Sequence, residues 1–187
     1  MKVMAVLGSP RKKGYTSQIA EAFMESAQQA GAETKIFHLN RMNYRGCQGC
    51  NACKTKSETC VQEDDLTEVL HWMHEADVAV FAVPVYYWDV TGQFKCFFDR
   101  TWSLVKPDYT TNPRPSRLAP GKKAVLITAQ GDVTDKHRDV VERYSTFLAM
   151  YGYKVQAIRA VECGLDAQAD IGAHADEARE LAAKLVK

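Results

Sequence analysis

Val3-Met4-Ala5-Val6-Leu7-Gly8-Ser9-Pro10-Arg11-Lys12-Lys13-Gly14-Tyr15-Thr16-Ser17 opens the chain with a change of period. The apolar run Val3 to Leu7, ending at Gly8, reads as a strand buried on both faces. A loop of small, basic and hydroxylated residues follows. From Thr16 onward, apolar side chains recur at helical spacing (Ile19, Ala20, Phe23, Met24, Ala27), and Gly31 is placed to end the helix.

The same alternation repeats to the end of the chain. Thr34 to Leu39 reads as a second strand. Asp64 or Asp65 starts a helix with Leu66, Val69, Leu70 and Met73 on one face. Val78 to Val83 is a third strand closed by Pro84, and Phe94, Phe97, Phe98 and Thr101 mark the helix after it. Ala124 to Thr128 is the fourth strand, followed by a helix carrying Val140, Val141, Tyr144, Phe147, Leu148 and Tyr151. Lys154 to Val161 is the fifth, and Ile171, Ala175, Ala178, Leu181 and Leu185 outline a last helix. Five strands alternating with five helices predict an α/β fold, a parallel sheet with helices on both faces. Ligands of such sheets bind beyond the carboxyl ends of the strands. The loops that start near residues 8, 40, 84 and 129 are therefore the ones to read. Two are long: residues 40–62, a length that points to function, and the proline-rich residues 106–121, read as a flap or an oligomer contact.

The 187 residues fit a single domain, 1–187, with 40–62 as an insertion. A net charge of +1 gives no reason to expect nucleic acid or an anionic membrane. The longest apolar run, Val78 to Trp88, is too short to cross a bilayer. No signal-peptide pattern precedes the first strand, so a cytoplasmic location is expected. In that reducing compartment, clustered cysteines point to metal binding or catalysis before disulfides.

The first loop suits a phosphate. Ser9, Thr16 and Ser17 offer hydroxyl donors, Arg11, Lys12 and Lys13 add charge, and the helix start supplies free N–H groups. The plainer alternative is a solvated basic turn with Thr16 or Ser17 as an N-cap. A Walker A loop is excluded, because five residues separate Gly8 from Gly14 and Tyr15 stands where lysine is required. A dinucleotide fingerprint is excluded by the lack of a second glycine after Ser9. A mononucleotide such as FMN remains.

Beyond the third strand, Tyr86, Tyr87 and Trp88 follow Pro84 and Val85, and three consecutive side chains cannot all point inward. Asp89 could cap the next helix or touch a ligand. Cys47, Cys50, Cys53 and Cys60 form C-x2-C-x2-C-x6-C. A zinc site usually pairs two separated knuckles, whereas this compact run is similar to loops that wrap an iron–sulfur cube. Cys96, among phenylalanines, is expected in the core. His71, His74, Lys95 and Asp99 read as ordinary helix residues, and no Ser-His-Asp or Cys-His constellation is evident.

Two stretches, VLGSPRKKGYTS and PVYYWDVTGQFKCFFDR (Pro84 to Arg100), resemble the NAD(P)H-dependent FMN reductases of the flavodoxin-like superfamily. The cysteine stretch RGCQGCNACKTKSETCVQEDDL resembles the motif of that superfamily's iron–sulfur flavoproteins. The resemblance implies a three-layer αβα sandwich with strand order 2-1-3-4-5. It implies FMN with its phosphate on Ser9, Arg11, Thr16 and Ser17. The ring would lie against Pro84, Val85, Tyr86, Tyr87 and Trp88, and Gln130 and Gly131 would form a third flavin loop. It further implies a [4Fe-4S] cluster on Cys47, Cys50, Cys53 and Cys60, although a cluster-free loop braced by reduced thiols stays open. NAD(P)H or a redox protein would be the electron donor, and a homodimer or homotetramer the assembly. The rival functions are a cluster-free flavin or quinone reductase, a non-enzymatic flavodoxin-like electron carrier and a metal- or redox-sensing module.

Overall fold

The computed structural model describes residues 1–133, 135–164 and 170–186. Its strands are β1 (Lys2–Leu7), β2 (Glu33–His38), β3 (Val78–Tyr86), β4 (Asp89–Val90), β5 (Lys123–Ala129) and β6 (Lys154–Ala160). Its helices are α1 (Tyr15–Gln29), α2 (Ala52–Thr55), α3 (Leu66–Glu75), α4 (Gly92–Arg100), α5 (Arg138–Met150) and α6 (Ile171–Leu185). The sheet runs β2-β1-β3-β5-β6 with every neighbouring pair parallel. This amends the expected five-strand order. A sixth strand, the two-residue β4, pairs antiparallel with the end of β3.

Side-chain alternation along the strands sorts the core into two layers. One face of the sheet packs Val3, Ala5, Leu7, Val80 and Ile127 against α1 and α6, with Ile19, Phe23 and Ala178 fully buried there. The other face packs Met4, Val6, Phe81 and Leu126 against α3, α4 and α5. Strands covered on both sides carry the unbroken apolar runs seen in the sequence.

Two boundaries differ from the sequence reading. β3 does not stop at Pro84: Pro84 still pairs with Ala129, and the strand continues to Tyr86. There the chain reverses through Tyr87 and Trp88, at φ 47° and 66°, and returns as β4. Two successive positive φ values make a type I′ hairpin, whose twist matches the flanking strands. The other difference lies in 40–62, where α2 forms a single turn and carries Cys53.

Residues 106–121 pack on the molecule and are not a free flap. Val105 bridges Ser116, and Arg117 donates to the carbonyls of Cys53, Glu58 and Ser103 at 2.9–3.0 Å. Among the described residues, no helix is long and apolar enough to cross a membrane.

Candidate functional site

The loop after β1 is wound tightly on itself. The Ser9 hydroxyl accepts from the Arg11 N–H at 3.2 Å, and the Gly14 N–H donates to the Arg11 carbonyl at 3.1 Å. A Cβ on Gly14 would stand 2.5 Å from Ser9 Oγ, so this winding requires glycine. α1 then begins at Tyr15 with no side chain capping its N-terminus. Neither Thr16 nor Ser17 is the N-cap; both lie inside the first turn and are buried. The Thr16 hydroxyl oxygen is enclosed with no hydrogen-bond partner. A buried hydroxyl is rarely left without one.

Most of the expected residues meet around this cradle. Ser9, Arg11, Thr16, Pro84, Val85, Tyr86, Gln130 and Gly131 line one cavity, together with Gly14, Tyr15, Ala129 and Cys163. Ser17 is buried and does not line it. The Arg11 Nε–H donates to the Tyr86 hydroxyl at 3.3 Å, tying the first loop to the β3–β4 hairpin. Tyr87 and Trp88 line an adjoining cavity of about 250 Å³ that shares Val85, Gln130 and Gly131 and adds Asp132 and His137. All three aromatics of the hairpin are exposed, Tyr87 at 93% and Trp88 at 64%. A larger, open trough of about 790 Å³ lies beside β2, between Phe37, Arg41, Asp64 and His71. It has neither the buried, unpartnered hydroxyl nor the aromatic hairpin, so size alone does not choose the site.

Gln130 contributes shape and no free polar group. Its amide NH2 donates to the carbonyls of Asp132, Val133 and Lys136, its side-chain oxygen accepts from Arg159, and its backbone bonds Ala160 and Cys163. Asp89 does not cap α4 either. Its carboxylate is held by Arg143 and Tyr144 of α5, while Thr91 is the cap and also donates to the Gly8 carbonyl at 2.7 Å.

At the other end of α4, Cys47, Cys50, Cys53 and Cys60 line one cavity with Arg100 and Trp102. Cys47 and Cys50 are exposed, Cys60 is half-buried and Cys53 is buried. Among the described residues, no three His, Cys, Asp or Glu side chains are grouped so that they could hold a metal ion. The sulfurs nonetheless feel one another. Burial pushes the Cys53 thiol up; Lys54 opposes the shift, and Cys60, Cys47 and Cys50 add to it. Burial lowers the Lys54 ammonium in turn. Lys54 Nζ donates to the carbonyls of Trp102 and Val105 and lies 4.0 Å from the Trp102 ring centroid.

Arg100 is the residue that sequence reasoning missed. Only 1% exposed, it spends its guanidinium on Cys60 Sγ (3.0 Å), the carbonyls of Arg45 and Gln62, and both oxygens of Asp64. Burial acts to raise the Asp64 carboxyl, but the bonds from Arg100 and the Arg45 N–H outweigh it and hold the pKa below its ordinary value. Tyr44 adds a second tie, donating to the Gln93 carbonyl at 2.7 Å, with burial pushing its phenol up to about 12. Cys96 is not in the core. Its sulfur is exposed and lies beside Gly46. His71 pairs with Glu75 and Lys95 with Asp99 on helix surfaces, as their positions in the sequence suggest.

Residues 1–162 match the family model described as NADPH-dependent FMN reductase. The chain belongs to the NADPH-dependent FMN reductase family. It is similar to an iron–sulfur flavoprotein of Archaeoglobus fulgidus, at 40% identity over 54% of this chain and 45% of that one. It is 33% identical to one of Methanocaldococcus jannaschii over 71% of this chain and 63% of that one. The chain thus spans about half the length of the curated relatives it matches. In fold it resembles an NAD(P)H:quinone oxidoreductase from Methanothermobacter marburgensis, with TM-score 0.73, 20% identity and 100% and 98% of the two chains covered. It also resembles an FMN-dependent NADH-azoreductase from Bacillus anthracis in complex with FMN, with TM-score 0.75, 17% identity and full coverage of both chains. At those identities the likeness speaks for the flavodoxin-like fold of this reductase family member and no further.

Proposed function

We propose that this chain is an FMN-dependent oxidoreductase that moves electrons between NAD(P)H, or a reduced carrier, and an acceptor. FMN, when bound, takes a hydride's two electrons and can release them singly or in pairs. The observation that carries this reading is the enclosed, unpartnered Thr16 hydroxyl inside an uncapped helix start. A bound phosphate would satisfy both that hydroxyl and the free N–H groups of the first turn. The Ser9 hydroxyl and Arg11 flank the same space, and Gly14 keeps it clear of side chain. Val85 and Tyr86 wall the groove above it, and the hairpin aromatics Tyr87 and Trp88 give its outer end flat surfaces for a ring. Iron–sulfur flavoproteins among the curated relatives, and an FMN complex among the structural ones, agree with this reading.

The test is FMN titration of wild type and Thr16→Val. One hydrogen bond to a charged group is worth about 1.5–3 kcal/mol. The variant should therefore bind FMN roughly 10- to 100-fold more weakly, while riboflavin, which lacks the phosphate, binds both proteins alike. Equal FMN affinity for the two proteins would remove Thr16 from the phosphate site.

A second reading has its own observation. Four cysteine sulfurs line one cavity, and this is the donor set of a [4Fe-4S] cluster held by Cys47, Cys50, Cys53 and Cys60 as thiolates. A cluster bound there would supply one-electron transfer, and Lys54 and Arg117 would offset the negative charge of its ligands. Anaerobic protein assayed for iron and acid-labile sulfide decides between this and a cluster-free reductase. Steady-state oxidation of NADH and NADPH with several acceptors separates either enzyme from a passive electron carrier, which would turn over neither.

A further inference from the structure

Arg100 stands apart from every other cation near the cysteine cavity. Lys54 and Arg117 reach backbone carbonyls, whereas Arg100 is, among the described residues, the one cation that donates to a cysteine sulfur, Cys60 Sγ at 3.0 Å. The same guanidinium holds the carbonyl of Arg45, two residues before the first cysteine, and that of Gln62, two residues after the last. It therefore closes the loop 45–62 into a ring at the cysteine that lies farthest along the sequence from the other three. Its side chain is fully enclosed and cannot lose its proton. Asp64, 2.7 Å away, cancels much of its long-range charge, so the remaining influence on the cavity is the directed Nε–H bond to sulfur.

We propose that Arg100 is a positioning residue for the cysteine cavity: it sets Cys60 as the fourth ligand and, through its bond to Sγ, raises the electron affinity of a cluster bound there. This inference rests on the cluster reading above. A hydrogen bond to a ligand sulfur favours the more negative, reduced state, so removing it lowers the reduction potential. Arg100→Lys keeps the positive charge but cannot keep the fork of donors. Asp64→Asn breaks the same ion pair, leaves Nε–H on Cys60, and uncovers the positive charge. The two variants therefore move the potential in opposite directions if Arg100 acts on sulfur, and in the same direction if it is only a strut.

The experiment is a redox titration of anaerobically reconstituted full-length wild type, Arg100→Lys and Asp64→Asn, followed by electron paramagnetic resonance, with iron and sulfide assayed on each. Expected is a roughly tenfold fall in the reduced-to-oxidised ratio at fixed poise for Arg100→Lys, equivalent to about 59 mV for one electron. Asp64→Asn should shift to higher potential, and an unchanged or lowered value overturns the inference. Both variants shifting down together, or a loaded Arg100→Lys with wild-type potential, overturns the inference and leaves the cluster in place. If Arg100→Lys does not fold, an unchanged or lowered potential in Asp64→Asn alone overturns it. Wild type that takes up no iron or sulfide overturns the cluster reading, and this inference with it.

Discussion

Thr16 and Arg100 are both about 1% exposed, yet they differ in what surrounds them. Arg100 has five hydrogen bonds among its three nitrogens, and Thr16 Oγ1 has none. A satisfied buried cation is a built part of the fold, whereas an unsatisfied buried hydroxyl that also lines a cavity, as Thr16 does, marks a place where something else fits. In hindsight Arg100 was visible in the sequence: it stands three residues after Phe97, on the buried side of its helix, where a charge is out of place. What it binds was not visible, since its partners lie 36 to 55 residues away. Its pairing makes a pH prediction. Asp64 is held below its ordinary pKa of 3.8 in the folded protein, so its contribution is present above 3.8 and is lost as the pH falls through the folded value. Asp64→Asn should cost roughly 3 kcal/mol near pH 7, as expected for one partner of a largely buried pair. In denaturant melts the gap between variant and wild type should narrow below pH 3.8, the ordinary pKa of the group. A gap that does not change with pH would mean that Asp64 works by packing alone.

The β3–β4 hairpin and α4 define the site at the scale of elements. A two-residue I′ turn favours Asn-Gly, and Tyr87-Trp88 in its place stores backbone strain. Replacing the pair by Tyr87→Asn with Trp88→Gly should stabilise the protein by about 1–3 kcal/mol and weaken flavin binding or acceptor turnover. A more stable protein with unaltered FMN affinity and turnover would show the aromatics to be idle. α4 joins the two candidate sites. Its Thr91 end bonds Gly8 beside the phosphate cradle, and its Arg100 end closes the cysteine ring, nine residues or about 13 Å along. Gly8 is part of this join, because a Cβ there would meet Phe94 Cβ at 2.9 Å. The helix itself was legible from its phenylalanine spacing. The strand running on past Pro84, the turn and β4 were not, because a proline at the end of a run looks like a stop until a neighbouring strand is present to pair with it.

For the whole molecule, ligand binding and folding are one equilibrium. If FMN occupies the cradle, flavin at 100 times its dissociation constant adds about 2.7 kcal/mol to stability. For a chain of this size that raises Tm by roughly 5–10 °C. Riboflavin at the same concentration should give a much smaller rise, and equal rises would place the binding energy in the ring alone. The exposed Tyr87 and Trp88 also suit a contact with a second copy of the chain. Light scattering after size exclusion should give a dimer or tetramer, and a monomer at assay concentration would remove that expectation.

The sequence alone determined the α/β alternation, the two buried layers and the loop and helix start at Gly8–Ser17. Each rests on local period and local chemistry, which short stretches carry in full. Tertiary structure alone decided that Thr16 is enclosed and unpartnered, that Gln130 is consumed by its own loop, that Cys96 faces solvent, and that Arg100 joins residues 45, 60, 62 and 64. Those are statements about which distant groups are neighbours and which hydrogen bonds remain unspent, and no local pattern encodes them.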